Sequence, residues 1–97
     1  AKGGNETANL ARNYIAAVGG SANITGIDAC ITRLRLTVKD SAIVNDSLAK
    51  RLGASGVIRL NKQSVQVIVG TRAEAIATAM RGVMAAGPVE AATASSD

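Results

Sequence analysis

The side chains best placed to do chemistry fall in one run, Asp28-Ala29-Cys30-Ile31-Thr32-Arg33-Leu34-Arg35. It holds the one cysteine of the 97-residue chain and two of its eleven basic residues. Arg33 and Arg35 are two positions apart, so on an extended strand both face one way while Leu34 and Leu36 face the other. With Cys30 at the head of that strand, two guanidinium groups come near one sulfur. Cationic neighbours favour the thiolate, which is the nucleophilic form. Their forked donors also suit the oxygens of a phosphoryl group bonded to that sulfur. The run reads as a nucleophilic cysteine able to hold a dianion. A plainer reading stands beside it: a small hydrophobe next to the solvated face of a half-buried strand.

The elements around the run must position it. Residues 23–29 read as a strand whose large apolar residues, Ile24 and Ile27, are three apart, which predicts an irregularity near Gly26. Residues 33–39 alternate cleanly, with Leu34, Leu36 and Val38 inward. Cys30, Ile31 and Thr32 then form the connection, and successive amides in such a loop can make an anion-binding concavity. The Ile31 and Thr32 amides, the Thr32 hydroxyl, Arg33 and Arg35 are the candidate phosphate ligands. Asp28 would oppose a thiolate if it pointed inward, so its expected part is to orient an arginine or the backbone. Residues 56–60 and 64–69 read as two more strands joined by Asn61-Lys62-Gln63. Gln66 lies in the middle of the second. It is either an ordinary outward polar residue or a hydrogen-bond donor beside the cysteine loop.

Three helices complete the pattern. The first, about 6–18, carries Leu10, Tyr14, Ile15 and Val18 on one face, with Asn5 or Thr7 as cap and Gly19-Gly20 as stop. The second, 45–52, is capped by Asn45 or Asp46 and closed by Gly53; Leu48 and Leu52 form its buried stripe, with Ile43 or Val44 as a staple. Lys50 and Arg51 form a solvated face or a dock for an acidic partner. The third runs 71–86, with Thr71 and Glu74 as a capping box and Ile76, Met80, Val83 and Met84 as its apolar face. Residues 1–5 read as a flexible start, 6–86 as the domain, and 87–97 as an Ala/Ser-rich linker. The order α-β-β-α-β-β-α predicts an α+β fold: a four-stranded antiparallel sheet with three helices on one face. The opposite face and the first hairpin turn stay open, which suits alternate docking to two partners.

Composition narrows the function classes. With no Phe, no Trp and one Tyr, the core must be aliphatic and alanine-rich. A single cysteine excludes an internal disulfide, and the lack of histidine excludes a Ser-His-Asp triad, a Cys-His pair and a histidine phosphocarrier within this chain. A covalently carried phosphoryl group would therefore sit on Cys30. The net charge of +4 points to an acidic or phosphorylated partner, or an anionic surface. Nucleic acid is disfavoured, because the basic residues are dispersed and only Tyr14 could stack on a base. No apolar run reaches the roughly 18 residues that span a bilayer. Nothing in the residues calls for a metal or soluble cofactor.

The run from Asn23 to Leu36, with its Asp-Ala-Cys-Ile-Thr-Arg-Leu-Arg core, resembles the signature of the enzyme IIB domain in the glucose family of the bacterial phosphoenolpyruvate-dependent sugar phosphotransferase system. The likeness continues through Lys50-Arg51-Leu52-Gly53-Ala54-Ser55-Gly56-Val57 and Val65-Gln66-Val67-Ile68-Val69-Gly70, covering about 8–86. It implies that Cys30 accepts a phosphoryl group from a phosphohistidine on a IIA domain and passes it to a sugar bound in a membrane IIC domain. It also implies a place on the cytoplasmic side of the inner membrane, within a larger permease, and leaves room for a regulatory protein as a further partner. Residues 36–41 and 59–63 are more similar to the N-acetylglucosamine-specific branch than to the glucose branch. The competing reading is a regulatory interaction module of the same fold without turnover.

Overall fold

The computed structural model describes the backbone of residues 2–91 and the side chains of residues 6–91. Four strands, β1 (Ile24–Ala29), β2 (Arg33–Val38), β3 (Gly56–Asn61) and β4 (Ser64–Ile68), form one antiparallel sheet in the order β1-β2-β4-β3. Helices α1 (Lys2–Ala17), α2 (Asp46–Arg51) and α3 (Ala73–Ala86) complete the expected α+β order. β2 and β4 are the central strands, and their clean alternation explains why. Leu34, Leu36, Val38, Val65 and Val67 are all buried on one face, against Ala11, Tyr14, Ile15 and Val18 of the α1 segment and Ile76, Ala77 and Met80 of α3. Each such aliphatic side chain contributes about 1.5–3 kcal/mol on burial, so this layer holds the sheet and frees its other face for polar residues. Alanines at 11, 17, 73 and 77, each at most 1% exposed, stand where bulkier residues would part the helices and sheet.

The irregularity predicted near Gly26 is present as a register shift in β1 between Ile24 and Gly26. Several boundaries differ from expectation. α1 begins at Lys2, so residues 2–5, read as a flexible start, continue the helix. Once a helix has nucleated, each added residue gains a bond, which offsets the roughly 1 kcal/mol penalty of a glycine. Thr7 therefore lies inside the helix rather than at its cap, and the side chain of Asn5 is outside the described residues. In α2, Asn45 is the cap, its Oδ1 accepting from the Leu48 amide at 3.0 Å. Leu48 and Leu52 are half-buried there, and Ala49 is the fully buried residue. Val44 is buried, whereas Ile43 is 52% exposed. The capping box of Thr71 and Glu74 does not form: Gly70–Arg72 make a short 3-10 turn, and Arg72 starts α3 without a side-chain cap bond.

The chain after α3 also departs from a free linker. The Ser21 amide donates to the Val89 carbonyl at 2.8 Å, and the Val89 amide donates to Ser21 Oγ at 2.9 Å. Val89 packs against the core. The strand of chain passes so close over Gly20 that a Cβ there would lie 2.7 Å from the Ala91 nitrogen. Residues 92–97 of the expected linker lie outside the described residues.

Candidate functional site

Strand alternation and register assemble the site. Residues Arg33, Arg35 and Thr37 of β2 are exposed while Leu34, Leu36 and Val38 are buried, so the three polar side chains line the uncovered face. Across that face Asp28, Arg35, Gln66 and Ile58 stand opposite one another in a single row over all four strands. Arg33 stands in the next row, opposite Ile68. Ala29 pairs with Leu34 on the buried face, and the Cys30 amide then donates to the Arg33 carbonyl at 3.0 Å. Cys30 is therefore the cross-strand neighbour of Arg33, on the open face and half-buried. Ile31 and Thr32 are the two residues of the hairpin connection, and both are exposed, Ile31 to 75%.

These positions put the motif's cations on the same sheet face as the sulfur. Residues directly opposite in an antiparallel pair have Cα atoms about 4.5–5.5 Å apart, and two steps along a strand cover roughly 7 Å. Both distances lie within the reach of an arginine side chain. Arg33 Nη1 donates to Gln66 Oε1 at 2.8 Å. Because arginine has no acceptor, the Gln66 oxygen must be the atom facing it, which turns the amide nitrogen's two donors elsewhere. Arg35 makes no hydrogen bond or ion pair among the described residues. The amides of Ile31 and Thr32 are likewise not taken up by other backbone groups among the described residues. One shallow groove on this face, about 320 Å³, is lined by Asp28, Arg35, Thr37, Leu60, Ser64 and Gln66.

Asp28 is turned to its own backbone and to the sheet edge. Its Oδ1 accepts from the Ala29 amide at 2.8 Å and lies 4.0 Å from Arg81 Nη2. Arg81, in α3, also donates to the Ile27 carbonyl at 2.9 Å. No bond joins Asp28 to Arg33 or Arg35 among the described residues. Arg81 escaped the sequence reading because its partner is 54 positions away and nothing local marks it. A second missed contact supports the cysteine turn from below: the Thr32 carbonyl accepts from both the Val69 amide at 3.1 Å and the Gly70 amide at 3.0 Å. Residues 69–70 carried only the signal of a strand end.

The arrangement offers a thiol with two arginines, two unengaged amides and a carboxamide on one accessible face. Donors from two strands and a turn on one open face have the chemistry that suits a tetrahedral anion.

A family model described as phosphotransferase system, EIIB matches residues 12–45. The N-acetylglucosamine-specific EIICBA component of the phosphotransferase system from Escherichia coli is 69% identical over 85 residues, covering 88% of this chain and 13% of that protein. The N-acetylglucosamine-specific EIIB component from Streptomyces coelicolor is 42% identical over 77 residues, covering 79% of this chain and 99% of that protein. A crystal structure of one domain of the IIabc component from Clostridium difficile superposes with a TM-score of 0.66 at 26% identity, covering 97% of this chain and 95% of that one. This chain thus spans about an eighth of its Escherichia coli relative and nearly the whole of the Streptomyces one, and the likeness read from the cysteine motif is borne out: the chain belongs to the EIIB family of the phosphotransferase system.

Proposed function

We propose that this domain is a phosphoryl carrier of a sugar-transporting phosphotransferase system, with Cys30 as the residue that carries the group. The observation that supports it most is the placement of Cys30, Arg33, Arg35 and Gln66 on one open sheet face, beside the unengaged amides of Ile31 and Thr32. In the first step the Cys30 thiolate attacks the phosphorus of a phosphohistidine on a IIA domain. The S–P bond forms, the P–N bond breaks, and the imidazole leaves. Arg33, Arg35, the two amides and the Gln66 carboxamide stabilise charge on the equatorial oxygens, where electrostatic preorganisation acts in phosphoryl transfer. Asp28 supports the turn through the Ala29 amide. In the second step a sugar hydroxyl in a IIC domain attacks the same phosphorus, the S–P bond breaks, and the thiolate is regenerated.

The sugar we favour is N-acetylglucosamine, with glucose next, because the 69%-identical relative bears the first specificity in its name. Its EIICBA make-up supports IIA and IIC as donor and acceptor partners. That make-up supports a location on the cytoplasmic side of a bacterial inner membrane; no helix among the described residues is long and apolar enough to cross one itself. We also take residues 6–86 as the IIB unit, extended to Val89 by the Ser21 contacts. A regulatory protein would find the same open face accessible.

The test is intact-protein mass after incubation with phosphoenolpyruvate, the general phosphotransferase proteins and a matching IIA. The expected result is a gain of one phosphoryl group by the unmodified chain and none by Cys30→Ser. No gain by the unmodified chain, with IIA itself phosphorylated, would overturn the carrier reading and leave an interaction module of the same fold.

A further inference from the structure

A two-residue hairpin link is ordinarily built from residues with positive φ, because mirror-image turns match the twist of the flanking strands. Ile31 and Thr32 are neither glycine nor asparagine, and no non-glycine residue among those described has positive φ. The turn beside Cys30 is thus one that its own residues do not hold strongly. Its support comes from the β4–α3 junction, where the Val69 and Gly70 amides both reach the Thr32 carbonyl. Two successive amides lie side by side when the residue carrying the first has ψ near zero, in the bridge region between helix and strand. Val69 has φ −120° and ψ 3°, and Gly70 has φ +76°. The left-handed φ of Gly70 then sets how the chain leaves that pair of amides for α3, so the start of the helix and the grip on Thr32 are tied together.

We infer that Gly70 is a positioning residue for phosphoryl transfer: its left-handed backbone lets the chain turn into α3 while the Val69 and Gly70 amides stay on the Thr32 carbonyl, and so sets the direction in which the turn presents Cys30. The inference rests on the reading of Cys30 as phosphoryl acceptor. Glycine is demanded here by conformation alone, since a Cβ added at Gly70 would meet nothing within 4 Å. Chirality at this position, rather than bulk, is therefore what the site senses.

The experiment compares the unmodified chain with Gly70→Ala, Gly70→Asn and a chemically synthesised chain carrying D-alanine at position 70. Each is followed for the rate of uptake from phosphorylated IIA as a function of IIA concentration, for thermal melting, and for hydrogen exchange at the Val69 and Gly70 amides. The expected result for Gly70→Ala is a roughly tenfold or greater fall in the saturated rate with KM unchanged, since small misplacements of a reacting group slow chemistry more than binding. Exchange at both amides speeds up. D-alanine restores the rate and the protection, and Gly70→Asn recovers most of both, asparagine being tolerant of positive φ. Uptake by Gly70→Ala at the unmodified rate would overturn the inference and leave the carrier reading intact. Equal slowing by D- and L-alanine would overturn it too. If the unmodified chain takes up nothing, the carrier reading itself falls, and the positioning role falls with it.

Discussion

Two parts of this sheet use polar side chains in opposite ways. Beyond the bulged end of β1 and beside β3, Asn23 and Arg59 each engage several partners. Asn23, only 4% exposed, donates through Nδ2 to the carbonyls of Val18 at 2.7 Å and Asp40 at 3.1 Å and accepts from the Asp40 amide at 3.0 Å. Arg59 donates to the carbonyls of Ser41 at 2.8 Å and Val44 at 2.7 Å, and pairs with Asp46 at 2.7 Å. On the open face by the cysteine turn, Arg35 has no partner among the described residues and Arg33 has only a neutral one. The same side-chain type staples a loop in one place and stands uncommitted in the other. An arginine already tied to a carboxylate would have to give up that pair before binding phosphate; one that is free does not. The lesson is that Arg59 is committed to the fold, whereas Arg35 on the cysteine's face is available to an anion.

Substitutions in the two regions should separate activity from stability. The largest effect on activity expected is at Arg35. Arg35→Ala lowers the rate of phosphoryl uptake from IIA by about 10²–10³-fold, the range seen when one preorganised donor is removed. Melting stays within about 0.5 kcal/mol of the unmodified chain, as for other exposed sites. A rate loss tracking a stability loss would break the contrast. At the other end, Asn23→Ala leaves three backbone groups short of a partner and costs about 2–4 kcal/mol in chemical denaturation, given about 1–3 kcal/mol for each well-buried group so orphaned. Uptake per folded molecule should not change.

Arg59→Ala should destabilise less, by about 1–2 kcal/mol, because the carbonyls it serves are partly reached by water. Denaturation midpoints check this directly. The smallest effect is a pH dependence. Arg59 donates a hydrogen bond to Asp46 and holds its carboxyl below the ordinary carboxylate value. A depressed folded-state pKa means that the pair's contribution is present above the unfolded carboxylate pKa of about 4 and fades as pH falls through the lower folded value. The stability gap between the unmodified chain and Arg59→Ala should therefore narrow between pH 5 and strongly acid conditions, seen as converging midpoints, while Arg35→Ala shows no such convergence.

Much of this molecule was legible in order along the chain. The alternation of β2, the irregularity near Gly26, a cap at Asn45 (one of the two residues offered, with Asp46) and the cysteine connection at 30–32 all follow from local rules of period, backbone freedom and capping. Local rules failed where a distant segment intervened. Thr71 and Glu74 have the spacing of a capping box, but the left-handed Gly70 leads into a 3-10 turn first. Pro88 and its neighbours read as the start of a linker until Ser21 captures Val89. Gln66 could be read two ways on its own strand, and the pairing of β2 with β4 puts its oxygen against Arg33.

The sequence by itself therefore determined which face of each strand is apolar, where the reactive residue types sit, and that no histidine in this chain could share the work. Those are properties of residue identity and spacing, which the chain carries before it folds. Only the tertiary structure decided which cations are free and which are spent, and that the cysteine turn rests on two amides from the β4–α3 junction. Such facts depend on pairing between segments far apart along the chain, where register and backbone handedness, not composition, choose the partner.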